Sequence, residues 1–417
     1  LGYLKDPIMS QLDDMGMTGL FTDVEMPLTL VLADMEFTGI RTRADVLDEI
    51  AEATSEKIGF YQRHIYELAG HEFNINSPKQ LAEVIYDELK LARSTKRSTD
   101  AKVLAKMAGS HPIIEEILEY RKYAKLYSTY AYGLKKYIQP DGRIHTVYNQ
   151  CITETGRLSS SDPNLQNISV RDEEASQIRR AFVPEAGCVL VGADYSQVEL
   201  RMLAHLAGEE NLIEAFKEGL DIHTKTAMDV FGVDREAVSP AMRRQAKAIN
   251  FGIDYGMSPF GLSQTLGIPV ALASEFIEAY YARYPKIREY MDKTGADCQQ
   301  NGYVTTILNR RRQIPEINSS NRQLREFGKR AAMNAPVQGS AADLIKLAMI
   351  RVYQELKERK LQSKLILQIH DELILNVPAA ERETVMELVE RQMENAMTLS
   401  VPLLAEAQSG DSWLEVK

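Results

Sequence analysis

At 417 residues the chain is too long for one ordinary hydrophobic core, so two or three lobes are expected. Its 44% hydrophobic and 26% charged residues are those of a soluble globular protein. It has neither an apolar run of about 18 residues nor a basic-then-apolar leader, which argues against a membrane span or a secretory signal. Cys151, Cys188 and Cys298 form no CxxC and cannot all pair, so a reducing compartment is the simplest account. The net charge of −10, taken alone, argues against a nucleic-acid binder. Basic residues are clustered, however: 120–148 holds six Lys or Arg against one acid, and 308–330 holds seven against two. A positive groove on an acidic body can track phosphates, although either cluster alone reads equally as a solvated helix face.

In chain order, Arg41 to Gln139 is helical in pattern. Ser77, Pro78 and Gln80 supply an N-cap, a first-turn proline and a capping-box partner, and a second long helix is expected from about Ile113 to Tyr137. Between them lies the polar stretch LARSTKRSTDA, 91–101. Asp141 to Val183 reads as turns and short strands. Cys188 to Ala193 is apolar and β-branched enough for a buried strand, and from Gln197 the spacing of Val198, Leu200, Met202, Leu203 and Leu206 is helical. Asp194 falls at the switch, where a carboxylate either caps the helix or is held half-shielded as a divalent metal ligand.

Leu206 to about Asn321 is mostly helical. Ser239 and Pro240 open a helix running through Ile253. Along it Arg243, Lys247, Phe251 and Tyr255 recur every four residues and share one face, with a drift of about 40° per step. The cations sit toward the helix N-terminus and suit a triphosphate; the aromatics follow where a base and sugar would lie, with Gly252 and Gly256 clearing the approach. An amphipathic surface helix is the plain alternative. In the next marked helix, Phe327 to Glu355, Arg330, Asn334 and Gln338 lie at i, i+4 and i+8. Ala331, Ala335, Gly339, Ser340 and Ala341 around them would admit a nucleic-acid backbone, and Pro336 should kink the helix. In KLILQIHDELILNVP, Lys364 to Pro378, two apolar runs flank His370, Asp371 and Glu372, a hairpin with acids at its tip and no Gly or Asn to ease the turn. Asp and Glu repel there unless a cation joins them. Asp371 brought beside Asp194 would make a two-metal site, with ions about 3.5 to 4 Å apart. A helix from Ala380 to Met397 and a strand from Leu403 to Ala407 complete the chain, and the strands imply an antiparallel sheet within an α+β fold.

Four stretches together resemble a known family. DYSQVELR (Asp194 to Arg201), RRQAKAINFGIDYG (Arg243 to Gly256) and QIHDEL (Gln368 to Leu373) are similar, in order and spacing, to the three signature motifs of family A DNA polymerases. TGRLSSSDPNLQNI (Thr155 to Ile168) adds a fourth match, and the resemblance covers essentially the whole chain, most closely the polymerase part of the bacterial enzymes.

The resemblance implies a right-hand fold, with an N-terminal palm segment (1–40), thumb (41–139), palm (140–205), fingers (206–322) and a C-terminal palm part (323–417). It implies template-directed extension of a primer 3′-OH with dNTPs and release of pyrophosphate. Two Mg²⁺, for which Mn²⁺ can substitute, would be held by Asp194, Asp371 and the Tyr195 carbonyl. Lys247 would serve as proton donor or charge stabiliser and Glu372 as a nearby acid. Arg243, Lys247, Phe251, Tyr255, His223 and Gln197 would bind the nucleotide, and Glu199 would crowd a ribose 2′-OH. Arg157, Asn164, Gln166, Arg330, Asn334, Gln338 and His370 would touch primer-template DNA. The thumb tip at 91–101 is shorter than usual for the family, which bears on grip. The implied protein is a cytoplasmic, nucleoid-associated monomer with no membrane partner. Because the chain opens at Leu1, it is expected to be part of a longer protein and to lack a proofreading or 5′ nuclease.

A single-subunit RNA polymerase shares this palm, but Glu199 in place of a smaller residue speaks against it. A metal-dependent nuclease would not need the Arg-Lys-Phe-Tyr helix, and a DNA clamp with a dead site would not need both acids. One departure stands inside a motif: Asp254, where the family usually has an apolar residue. It lies within roughly 20° of Lys247 and Arg243 on an ideal helix. Either its charge opposes the triphosphate, or the helix frays at Gly252 and Asp254 turns to solvent or a nearby cation.

Overall fold

The computed structural model describes residues 2–91, 96–169 and 172–416. At its centre four antiparallel strands, β1 (Cys188–Tyr195), β2 (Lys364–Ile369), β3 (Glu372–Pro378) and β4 (Ala405–Gly410), lie in the order β4-β1-β3-β2. The helices that position the site are α1 (Met26–Thr38), α2 (Ala44–Ala69), α3 (Pro112–Lys125), α4 (Val198–Ala207), α5 (Pro240–Asp254), α6 (Arg322–Glu358) and α7 (Arg382–Glu394). This is an α+β fold.

Alternation along the strands divides the core in two. Val191, Ala193 and Tyr195 of β1, with Leu373, Leu375 and Val377 of β3, belong to the cluster that includes side chains of α4, α6 and α7. The opposite face, with Leu190, Leu367, Ile369 and Ile374, packs on Ile40, Ile144, Phe182 and Trp413. Residues directly opposite in an antiparallel pair share a face, so Asp194, aligned with Glu372 on β3 and Glu406 on β4, stands on this second side. Gly192 lets the C-terminal segment close over the sheet, because a Cβ there would collide with the Val416 carbonyl.

A separate core around Ile65, Leu81, Ile85, Ile113, Ile114 and Ile117 joins α2 to α3. Ser77 caps its helix as expected, accepting from the Gln80 N–H at 3.4 Å. Gln80 Oε1 takes the N–H of Asn74 at 2.7 Å instead of closing a capping box. The helix expected from Ile113 to Tyr137 is regular only to Lys125 and continues as a π-turn, Leu126–Ala131, and a 3₁₀ turn, Leu134–Tyr137. Within the stretch 91–101, expected to be a short thumb tip, residues 92–95 lie outside the described residues.

Ser239 Oγ accepts from the Met242 N–H at 3.2 Å and starts α5, as expected. α6 continues through Pro336 as one element of 37 residues. Among the described residues no single helix is long and apolar enough to cross a membrane.

Gly339 and Ser340 of α6, two of the small residues expected to admit nucleic acid, meet protein at close range. A Cβ on Gly339 would stand 2.5 Å from Thr306 Cγ2 and 3.2 Å from the Thr155 carbonyl, and one on Gly328 would stand 2.5 Å from the Ile317 nitrogen. Ser340 Oγ accepts from the Ile307 N–H at 2.9 Å. Gly339 and Ser340 seat the loop of the hairpin Tyr303–Thr305/Arg311–Gln313 against the helix, and Gly328 seats the 3₁₀ turn Pro315–Asn318. The basic run 308–330 is likewise partly committed within the protein. Arg310 pairs with Asp343 at 2.7 Å and with Glu25, which also takes Lys346 at 2.7 Å, and Arg312 pairs with Glu154.

Candidate active site

Asp194 lies within β1, which runs on to Tyr195, and not at the strand-to-helix switch that its sequence suggested. Gln197 marks the turn with a left-handed backbone (φ 53°), and α4 starts at Val198 without a side-chain cap. Asp194 is therefore not a helix cap. The main-chain N–H of Tyr195 donates to the Asp371 carbonyl at 3.3 Å, so the hairpin tip is tied to the end of β1. The tip is His370-Asp371, because Ile369 already pairs with Glu372. His370 takes the strained left-handed conformation (φ 54°) that an Asn or Gly would otherwise ease.

Glu372 is not displayed at that tip. It opens β3 at 1% exposure, and Arg179 Nη1 lies 3.7 Å from its Oε2. Arg179, itself 1% exposed, stacks over the Trp413 ring at 4.1 Å. Burial pulls its guanidinium below the usual arginine range, while Glu372 and Asp194 oppose that shift. A buried cation thus sits below the sheet's acidic edge. Nothing in the sequence distinguishes Arg179 from its neighbour Arg180, which is half-buried and pairs with Glu49 at 3.4 Å. Glu406, exposed and aligned with Asp194, is a third acid at this edge that sequence reading did not single out.

The face of α5 holds its expected residues, with Lys247 exposed and its ammonium 6.0 Å from the Phe251 ring centre. Arg243 is held in a fork by Asp221, at 2.6 and 3.2 Å, an ion pair that lowers the Asp221 carboxyl to about 2. His223 is 4% exposed and contacts Asn250 through Nδ1 at 3.0 Å. Burial lowers it to about 4, which leaves it neutral near pH 7.

Glu199 gathers three neighbours. Arg157 pairs with its Oε1 while its side chain stays half-exposed. The Tyr255 hydroxyl donates to Oε2 at 3.2 Å. The third neighbour is Asp254, and here both sequence expectations fail: it faces neither solvent nor the triphosphate stripe. Its exposure is 0%, because α5 ends against α6, where Asn334 Nδ2 donates to the Asp254 carbonyl at 3.1 Å. That bond also buries Asn334, which was expected to reach DNA. Burial first, then the adjacent Glu199 carboxyl, raise the Asp254 pKa well above the carboxylate range.

Gln166 Nε2 donates to the Gln368 carbonyl and side chain at 3.2 and 3.1 Å, and Gln368 Nε2 donates to the His370 carbonyl at 2.6 Å. The fourth motif therefore braces the hairpin tip. Asn164, Arg330 and His370 are exposed and Gln338 is half-buried, as a nucleic-acid contact requires. Among the described residues no three His, Cys, Asp or Glu side chains are already gathered as a metal cage. Two carboxylates with further oxygens from backbone, substrate and water fit the hard-oxygen preference of Mg²⁺.

Comparison with known proteins agrees with this geometry. Residues 44–415 match the model of DNA polymerase family A. The chain is 51% identical to DNA polymerase I of Geobacillus stearothermophilus and 49% identical to that of Bacillus subtilis, in each case over 99% of the chain and 48% of the relative. It thus spans about half the length of the curated relatives it matches. A solved POL domain of Pol1 from M. smegmatis, in complex with DNA primer-template and dNTP, superposes with a TM-score of 0.94 at 40% identity, covering 99% of this chain and 74% of that one. With the family matched from 44 to 415, the chain belongs to DNA polymerase family A.

Proposed function

We propose that this chain is a template-directed DNA polymerase that extends a primer 3′-OH with dNTPs and releases pyrophosphate. The observation that carries the proposal is the Tyr195–Asp371 bond, which brings Asp371 to the end of the strand bearing Asp194. The M. smegmatis domain, similar over nearly the whole chain, is described with primer-template and dNTP bound. In this reading 1–40, 140–205 and 323–417 form the palm, 41–139 the thumb and 206–322 the fingers. The protein acts as a cytoplasmic monomer on nucleoid DNA.

Asp194, Asp371 and the Tyr195 carbonyl would hold Mg²⁺, which when bound lowers the pKa of the primer hydroxyl and neutralises charge on the leaving pyrophosphate. The chain's own residues do the positioning. Arg243, aligned by Asp221, keeps guanidinium donors for a triphosphate, and Lys247 offers a mobile ammonium to the leaving group. Phe251 and Tyr255 supply flat surfaces for base and sugar. Gln197, at the left-handed turn before α4, lies beside the same nucleotide, and Glu199 closes the sugar side. Asn164, Arg330, Gln338 and His370 face the primer-template, with His370 at the primer end.

Primer extension by the pure chain with Mg²⁺ tests this, supplied with either dNTPs or rNTPs. Extension with dNTPs, abolished by EDTA, is expected. Failure to extend, or equal use of rNTPs, would contradict the reading.

A further inference from the structure

Asp254 is a fully buried acid whose two oxygens have no hydrogen-bond donor, and the Glu199 carboxyl, to which the neighbouring Tyr255 hydroxyl donates at 3.2 Å, is close enough to raise its pKa. Two ionised carboxylates buried side by side repel; one proton between them removes the repulsion. The other groups facing the pair leave that proton no rival. Arg157 supplies one guanidinium and spends it on Glu199 Oε1, so with both acids ionised the cluster would carry an uncompensated buried charge. Tyr255 gives its hydroxyl to Glu199 Oε2, and its phenol is pushed up to about 12. Tyr280 and Tyr290 feel the Asp254 charge from the far side but donate nothing to it: the Tyr280 hydroxyl has no partner, and Asp254 accepts from no side chain.

We infer that Asp254 is a positioning residue for sugar selection: as a neutral carboxylic acid it donates its proton to Glu199 and, with Arg157 and Tyr255, holds that side chain in one place. The inference rests on the reading of Glu199 as the group that excludes a ribose 2′-OH. A side chain that excludes by occupying space must itself be fixed. The Arg157, Tyr255 and Asp254 contacts approach Glu199 from two segments, the loop that carries Arg157 and the end of α5, which leaves its carboxylate little freedom to swing. Removing the Asp254 donor frees one of these restraints and lets Glu199 yield to a bulkier sugar. Asn keeps a donor of the same shape; Val fills the same space without one.

The test is the ratio of kcat/KM for a dNTP to that for the matching rNTP at a single template position. It is measured near neutral pH for the parent, Asp254→Asn, Asp254→Val and Glu199→Ala. Events common to both nucleotides, such as primer-hydroxyl ionisation and pyrophosphate release, cancel in this ratio, and so does a general loss of active protein. The ratio for Asp254→Asn is expected within about twofold of the parent, and that for Asp254→Val about fivefold to tenfold lower, the scale of one ordinary hydrogen bond. A Val variant that discriminates as the parent does overturns the inference, as does an Asn variant that loses discrimination. The Asn arm decides alone if Val prevents folding. A Glu199→Ala variant with unchanged discrimination shows instead that the reading of Glu199 fails.

Discussion

Arg179 and Glu372, each about 1% exposed, face one another at 3.7 Å beneath the strand edge that carries Asp194. A buried charge left without its partner costs about 3 to 5 kcal/mol, whereas replacing both by apolar groups is close to neutral. Arg179→Met alone should therefore lower stability to denaturant by about that amount, and Arg179→Met with Glu372→Met should recover most of it. Chemical denaturation of the two variants checks this. A single variant as stable as the parent would mean that the pair adds nothing to the sheet.

Asp254 makes a linkage prediction. Its folded pKa is raised above the unfolded value of about 3.9, so the folded state binds the extra proton. Stability is then complete at acid pH and declines as pH rises from about 4 toward the folded pKa, by about 1.4 kcal/mol per pH unit for one proton. Asp254→Asn removes this slope. Relative to the parent it should gain stability steadily between about pH 4.5 and 7, measured by urea unfolding at several pH values. Parallel profiles for the two proteins would mean that Asp254 is ionised in the folded chain.

Gly339 separates two uses of a small residue. With Thr306 held by Asp343, an added methyl meets a side chain that cannot turn away. Gly339→Ala should cost about 1 to 2 kcal/mol net, overpacking less the gain in helix propensity. Its affinity for primer-template DNA, measured by anisotropy at fixed salt, should stay within about twofold. Lost affinity at unchanged stability would restore the view that α6 clears room for nucleic acid.

What the sequence conveyed well was periodic or punctuated. The apolar, β-branched run of β1, the Ser239-Pro240 start of α5 and the two apolar runs about His370-Asp371 all reappear, with boundaries moved by a few residues. What it concealed depended on partners distant in the chain. Asp254 was placed on the triphosphate face by an ideal helical wheel, but the helix ends there and α6 covers it through Asn334. Arg157 and His223 carry the residue types of ligand contacts, yet they are engaged by Glu199 and Asn250, which no local spacing reveals. Arg179 gave no signal because a buried cation and its surface neighbour look alike in one dimension.

The acids at the β1 end and the hairpin tip are expected to act on phosphoryl transfer and not on DNA binding. Single-turnover primer extension by Asp194→Ala and Asp371→Ala, with primer-template Kd measured in parallel at one salt concentration, tests it most directly. Extension is predicted to be lost in both variants while Kd stays within about threefold of the parent. Either variant extending primers at a substantial fraction of the parent rate would contradict the account.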